Sequence, residues 1–122
     1  MGIQSYKDMI VWQKAMEMAS EVNSITKQLP KEEIFSLASQ IRRAAVSVPS
    51  NIAEGYGRDS KKEYLHFLSI ANGSVCELET QLLLCVHIHY LSEQDIQPIL
   101  NLLSEVGKIL IAITKKLKIT AA

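Results

Sequence analysis

Four successive runs of the chain place apolar residues three and four positions apart, and a period of about 3.6 residues commits each run to an amphipathic helix. The first stripe is Met9, Trp12, Ala15, Met16, Ala19, Val22 and Leu29. The second is Ile34, Leu37, Ala38, Ile41, Ala45, Val48 and Ile52. Tyr64, Phe67, Leu68, Ala71, Val75, Leu78, Leu82, Cys85, Val86 and His89 make the third. Ile96, Ile99, Leu100, Leu103, Val106, Leu110, Ile113 and Leu117 make the fourth. Three prolines and five glycines in 122 residues leave too little punctuation for a strand-and-turn fold. That length holds one domain with a core that needs no disulfide or metal.

Local signals set the boundaries, and helices are expected over about 8–28, 32–56, 61–91 and 94–118. Ser5 or Asp8 can cap the first helix, and Pro30 closes it by pushing its predecessor out of the helical region. Pro49 lies inside the second run and predicts a bend rather than a break, because Ile52 and Ala53 continue the stripe. Gly55 and Gly57 can end that helix. Ser60 and Glu63 have capping-box spacing, and the Ser92 to Asp95 cluster is cap-like. Gly73 would permit a close helix approach, and Pro98 favours a start near Ile96 or a bend there. Short connections then dictate an all-α, up-and-down four-helix bundle. Apolar residues off the main stripes (Val11, Met18 and Ile25; Phe35, Val46 and Ala53; Leu83, Leu84 and Ile88; Leu102 and Ile109) are read either as a broad core or as a subunit interface.

The thirteen basic and thirteen acidic residues cancel, so the whole molecule has no long-range attraction for nucleic acid. The first ten residues lack the apolar run of a secretory leader, and the dense stretch from Leu82 to Leu91 is too short to span a bilayer. A cytoplasmic protein with no membrane role is expected. Cys76 and Cys85 are nine apart and fall on opposite sides of one helix, as reduced core or interface thiols.

One segment carries more than periodicity. Ser39 to Arg58, SQIRRAAVSVPSNIAEGYGR, closely resembles the signature of the four-helix-bundle proteins encoded in intervening sequences of 23S ribosomal RNA genes. DMIVWQKAM from Asp8, KEYLHFL from Lys62, IANGS from Ile70 and ELETQL from Glu77 match as well. The resemblance implies a left-handed up-and-down bundle assembled as a homopentamer, with no established enzymatic activity. It also implies kinship to the accessory protein of diversity-generating retroelements, a basic pentamer that engages RNA and a reverse transcriptase. This chain departs from that relative in being neutral.

Chemistry-bearing residues give no catalytic set. Glu63 and His66 form one Glu-x-x-His unit, whereas a di-iron bundle needs two such units and two further carboxylates. His87 and His89, like Glu77 and Glu79, are two apart and diverge on a helix. Neither cysteine has a basic neighbour in sequence, and Gly55-Tyr56-Gly57 lacks the rest of a phosphate loop. No catalytic residue, metal ligand, cofactor or small-molecule substrate is expected. Gln40, Ser47, Asn51 and Glu54 share one face of the second helix. They are read as a packing or interface stripe that bonds to Asn72, Glu77 or Glu79, with a ligand groove as the alternative. Arg42, Arg43, Arg58, Lys61 and Lys62 are candidate nucleic-acid contacts, interleaved with Glu54, Asp59 and Glu63. The resulting expectation is a non-catalytic, homo-oligomeric scaffold or interaction protein, partnered by itself and by RNA or a nucleic-acid-processing protein; the alternative is an RNA-binding protein.

Overall fold

The computed structural model describes residues 4–120 and contains four α-helices and, among the described residues, no strand. They are α1 (Ile10–Ile25), α2 (Leu37–Tyr56), α3 (Lys61–His87) and α4 (Glu93–Ile119). Each packs on two others, α1 on α2 and α4, and α3 on α2 and α4. Across α2 and α3, Ser47 meets Ser74 while Gly55 meets Phe67, one number rising as the other falls, so the pair is antiparallel. Val75 beside Gly107, and Lys61 bonded to the Thr120 carbonyl, establish the same for α3 and α4. The arrangement is an up-and-down four-helix bundle.

The core runs along the bundle axis. Val11, Ala15, Met18, Val22 and Ile25 fill it from α1, and Ile41, Ala45, Val48 and Ile52 from α2. Leu68, Ala71, Leu78, Leu82 and Cys85 join from α3, with Ile96, Ile99, Leu103, Val106 and Leu110 from α4. The inward face of α1 is therefore turned from the expected one: Val11, Met18 and Ile25 are buried, whereas Met16 is 43% exposed. The off-stripe residues Val46 on α2, Leu83 and Leu84 on α3, and Ile88 just after α3 stay exposed, while Leu102 and Ile109 on α4 are half-buried.

Several boundaries differ from expectation for local reasons. Ser5 caps only a 3-10 turn, Tyr6–Asp8, and Met9 then precedes α1 in extended conformation with no side-chain cap. Asp8 accepts a bond from the Gln4 amide instead. After α1 the chain tightens to 3-10 geometry over Thr26–Gln28, and a second such turn, Lys31–Glu33, replaces the expected start of α2. Ser36, at φ −124° and ψ −98°, separates that turn from the helix proper. Ile34 and Phe35 are consequently outside α2, and Phe35 is 95% exposed. Pro49 is buried within a helix that continues through it. Gly57 ends α2 in right-handed geometry, so no left-handed cap forms there.

The close approach also lies elsewhere than expected. A Cβ on Gly55 would sit 2.8 Å from the Phe67 Cβ, whereas one on Gly73 would meet nothing within 4 Å. Ser60 accepts the Glu63 amide at 3.1 Å, and Ser92 with Asp95 completes a reciprocal capping box. The last expected turn of α3 does not form. The Tyr90 and Leu91 amides both return to the Cys85 carbonyl, His89 adopts φ 66°, and its side chain points away from the core. By length and composition α4 is apolar enough to cross a membrane (mean hydropathy 1.5). In the bundle it buries one stripe and leaves apolar surface such as Ile111 outside.

Candidate functional site

Of the four polar residues on α2, Ser47 and Asn51 bond to each other, and the partner across the helix seam is Ser74 rather than Asn72, Glu77 or Glu79. The Ser74 hydroxyl donates to Ser47 Oγ at 2.8 Å, and Asn51 Nδ2 donates to Ser47 Oγ at 2.9 Å and to its carbonyl at 2.7 Å. Ser74 is buried, so this three-residue network satisfies polar atoms that would otherwise be desolvated at a cost. Gln40 and Ser47, with Arg43, Ser74 and Glu77, line an open polar cleft of about 310 Å³. Glu54 lies outside it, paired with Arg58 at 3.1 Å. Beyond the cleft, buried Gln81 reaches Glu77 through Nε2 at 3.3 Å and leaves its Oε1 without a hydrogen bond.

The five basic residues divide between the two ends of α2. Sixteen residues at 1.5 Å rise separate Arg42 from Arg58 by about 24 Å. Arg42 is half-buried and donates from Nε to Thr26 Oγ1 at 2.8 Å, which fixes it against the end of α1. Arg43 is exposed beside the polar cleft. Arg58 stacks over Phe67, 4.8 Å from the ring centroid, while bonded to Glu54. Lys61 reaches the Thr120 carbonyl, bringing Lys61 and Lys62 beside the last turns of α4, where Lys115, Lys116 and Lys118 sit. Antiparallel packing thus builds a basic end from two segments more than fifty residues apart. In sequence the α4 lysines suggest only a complement to the helix dipole.

Two of the grooves among the described residues are much larger than the polar cleft. The one between α1 and α2, of about 730 Å³, is walled by Trp12, Met16, Val46 and Pro49. Tyr6 packs edge-on against Trp12 at its end, with centroids 5.3 Å apart. The other, of about 560 Å³, runs between the start of α3 and the end of α4. Leu65, Leu68, Leu110 and Ile111 form its apolar floor, and His66, Lys115 and Lys118 stand at its rim.

Reactive groups are individually placed and not combined. Cys85 is buried and free, and burial followed by the nearby Glu33 charge pushes its thiol pKa up, away from the nucleophilic form. Cys76 is free and exposed. Burial, and then Tyr56, raises the Tyr64 phenol. His66 is exposed and lies edge-on to Phe67, 5.4 Å between centroids, and Glu63 turns back toward Ser60. Among the described residues no three His, Cys, Asp or Glu side chains gather as a metal site would require.

A different cluster ties the α1–α2 connector to the end of α3. Glu33 accepts the Ser36 hydroxyl at 2.5 Å and the Tyr90 hydroxyl at 2.8 Å. These two bonds hold the carboxyl below its ordinary pKa, and the same contact raises the Tyr90 phenol. No sequence motif marks this pairing of residues 57 positions apart.

No curated protein matches the chain. Among solved structures, it is similar to the crystal structure of a protein with unknown function from the S23 ribosomal protein family from Bacteroides thetaiotaomicron VPI-5482. The two share 29% identity and a TM-score of 0.81, over 87% of this chain and 99% of that one. Neither that relative nor the family description names a catalytic role. Residues 7–112, almost the whole bundle and all of the Ser39 to Arg58 signature, match the family model described as 23S rRNA-intervening sequence protein, and the chain belongs to that family.

Proposed function

We propose that the protein is a non-catalytic, homo-oligomeric helical scaffold of the cytoplasm, a left-turning up-and-down bundle whose copies close into a homopentamer. The observation that carries this reading is apolar surface left over after the core is complete. Met16 and Val46 remain 43% and 57% exposed along the α1–α2 groove, and Ile70, Leu84 and the C-cap residue Ile88 remain 38–45% exposed along the outer side of α3 and its end. A closed ring of identical subunits uses two different patches on each copy, one for each neighbour, and these two faces meet that requirement. The apolar surplus of α4 is not read as a membrane span, because Glu105, in mid-helix, is ion-paired to Lys14 at 2.6 Å. Light scattering coupled to size exclusion is the test. A mass five times the 13.6 kDa chain is expected, and a clean monomer at micromolar concentration would sink the proposal.

The basic end supports a second reading, in which the scaffold engages RNA or a nucleic-acid-processing protein. Arg58, Lys61 and Lys62 contribute to it together with Lys115, Lys116 and Lys118, whereas Arg42 and Arg43 face elsewhere. Repetition around a ring would add avidity to phosphate contacts that are weak singly. Structured RNA titrated at two salt concentrations should bind with a steep salt dependence. No binding at low salt rules the reading out.

A further inference from the structure

The α3–α4 groove combines an apolar floor with a cationic rim. Its floor is apolar: Leu68 and Leu110 are only 1% exposed and seal the bottom, while Ile111 is 48% exposed and faces the opening. Its rim is cationic: Lys115 and Lys118, one helical turn apart, stand on the α4 wall opposite His66 on α3. Neither lysine has an ion-pair partner among the described residues, although Lys14 and Arg58 elsewhere on the molecule do. The groove runs along α3 from Leu65 to Asn72, a rise of about 10 Å, with Ser69, Asn72 and Thr114 among its lining beside the apolar floor, and that length is the reach of a medium-length alkyl chain. At about 560 Å³ it has the volume of a small-ligand site. A neutral apolar ligand would leave the lysines unused, and a bare anion would leave the Leu and Ile floor wet.

We infer that this groove binds a medium-chain aliphatic carboxylate, its alkyl chain on Leu65, Leu68, Leu110 and Ile111 and its head group between Lys115 and Lys118. Charge-assisted bonds fix the carboxylate end, and burial of the chain supplies the remainder. The His66 ring closes the α3 side of the mouth.

Titration calorimetry of the intact chain with sodium decanoate, kept below its micelle concentration, tests this. Decan-1-ol serves as the uncharged probe and sodium acetate as the head group alone. Saturable binding of one decanoate per chain is expected, with decanol about tenfold weaker because the charged contact is lost. Acetate should give no measurable heat. Replacing both lysines (Lys115→Gln with Lys118→Gln) should weaken decanoate about tenfold, and Lys115→Arg with Lys118→Arg should keep it. Ile111→Glu should abolish binding while leaving the helical circular dichroism and melting temperature of an exposed-site variant. Equal binding of decanol and decanoate, non-saturable uptake, or decanoate binding untouched by both the lysine pair and Ile111→Glu overturns the inference. So does absent decanoate binding, and dissociation of the oligomer on Ile111→Glu would in that case make the groove a contact between copies. The scaffold reading stands or falls separately, on mass alone.

Discussion

The two sides of α3 are packed in opposite ways. Toward α2 it presents Ser74 and meets Gly55 and Ser47, residues small enough for the helices to close until the Gly55 backbone lies against Tyr64 and Phe67. Toward α4, near the same end, it presents Leu65, Leu68 and His66 to Leu110 and Ile111, and a groove of about 560 Å³ stays open. Side-chain size sets how closely two helices approach. A seam of small residues therefore gives register and rigidity, and a seam of large ones leaves volume that a ligand or a second copy can use.

Leu68 belongs to both sides, buried in the core and flooring the groove, so its truncation is the strongest way to break the contrast. Leu68→Ala should destabilise the chain by about 2–5 kcal/mol in urea unfolding, toward the lower end if the open groove lets the cavity collapse. Gly55→Ala tests the closed side. The new methyl meets Phe67 Cβ at 2.8 Å, and overpacking of about 1–3 kcal/mol exceeds the roughly 1 kcal/mol that alanine gains over glycine in a helix. Net destabilisation with a separated α2–α3 seam is expected; a rise in melting temperature would show that the helices are free to part there.

Ser74→Ala should cost about 1 kcal/mol, since it removes the 2.8 Å bond to Ser47 while Asn51 still satisfies that hydroxyl. A loss near 3 kcal/mol in a double-mutant comparison with Asn51→Ala would mean that the network acts as a unit. Gly73→Ala has the opposite sign. The site is open and exposed in mid-helix, so stability should rise by about 0.5–1 kcal/mol, detectable as an increased melting temperature. The same substitution thus destabilises at Gly55 and stabilises at Gly73.

Periodicity made the bundle readable because each stripe is a direct record of which side is buried. It could not show that the Ile34 position continues the stripe of α2 while lying outside the helix, because the break at Ser36 is a backbone event with no glycine or proline to announce it. The end of α3 was hidden for a similar reason: His89 takes a left-handed conformation that sequence assigns to glycine. On α1 the two candidate faces, through Met16 or through Met18, carry similar apolar content, and only packing against α2 and α4 selects Met18. The polar stripe was legible in Ser47 and Asn51, but its partner Ser74 depends on inter-helix register. Of the basic end, Arg58, Lys61 and Lys62 were legible as a grouping, but the α4 lysines that join them and the cationic groove were not, since these bring the Lys61 and Lys115 neighbourhoods together across the bundle.

The smallest effect concerns the Glu33 clasp, which fixes the one long connector. Bonds from Ser36 and Tyr90 hold the Glu33 carboxyl below its usual pKa, so the ionised form is favoured in the folded state. The sign follows from linkage: with a depressed folded pKa, the contribution is complete above the unfolded carboxylate range and is lost as pH falls through the folded value. Removing the hydroxyl with Tyr90→Phe should therefore lower stability slightly at neutral pH and flatten the acid limb of the stability profile. The difference between the two proteins should shrink as Glu33 protonates in both. Chemical denaturation between neutral and strongly acidic pH reads it directly. A difference that stays constant through the carboxylate range would assign the Tyr90 contribution to ring packing, and would leave the connector held by Ser36 and the Leu37 amide, which lies 3.4 Å from the same carboxylate.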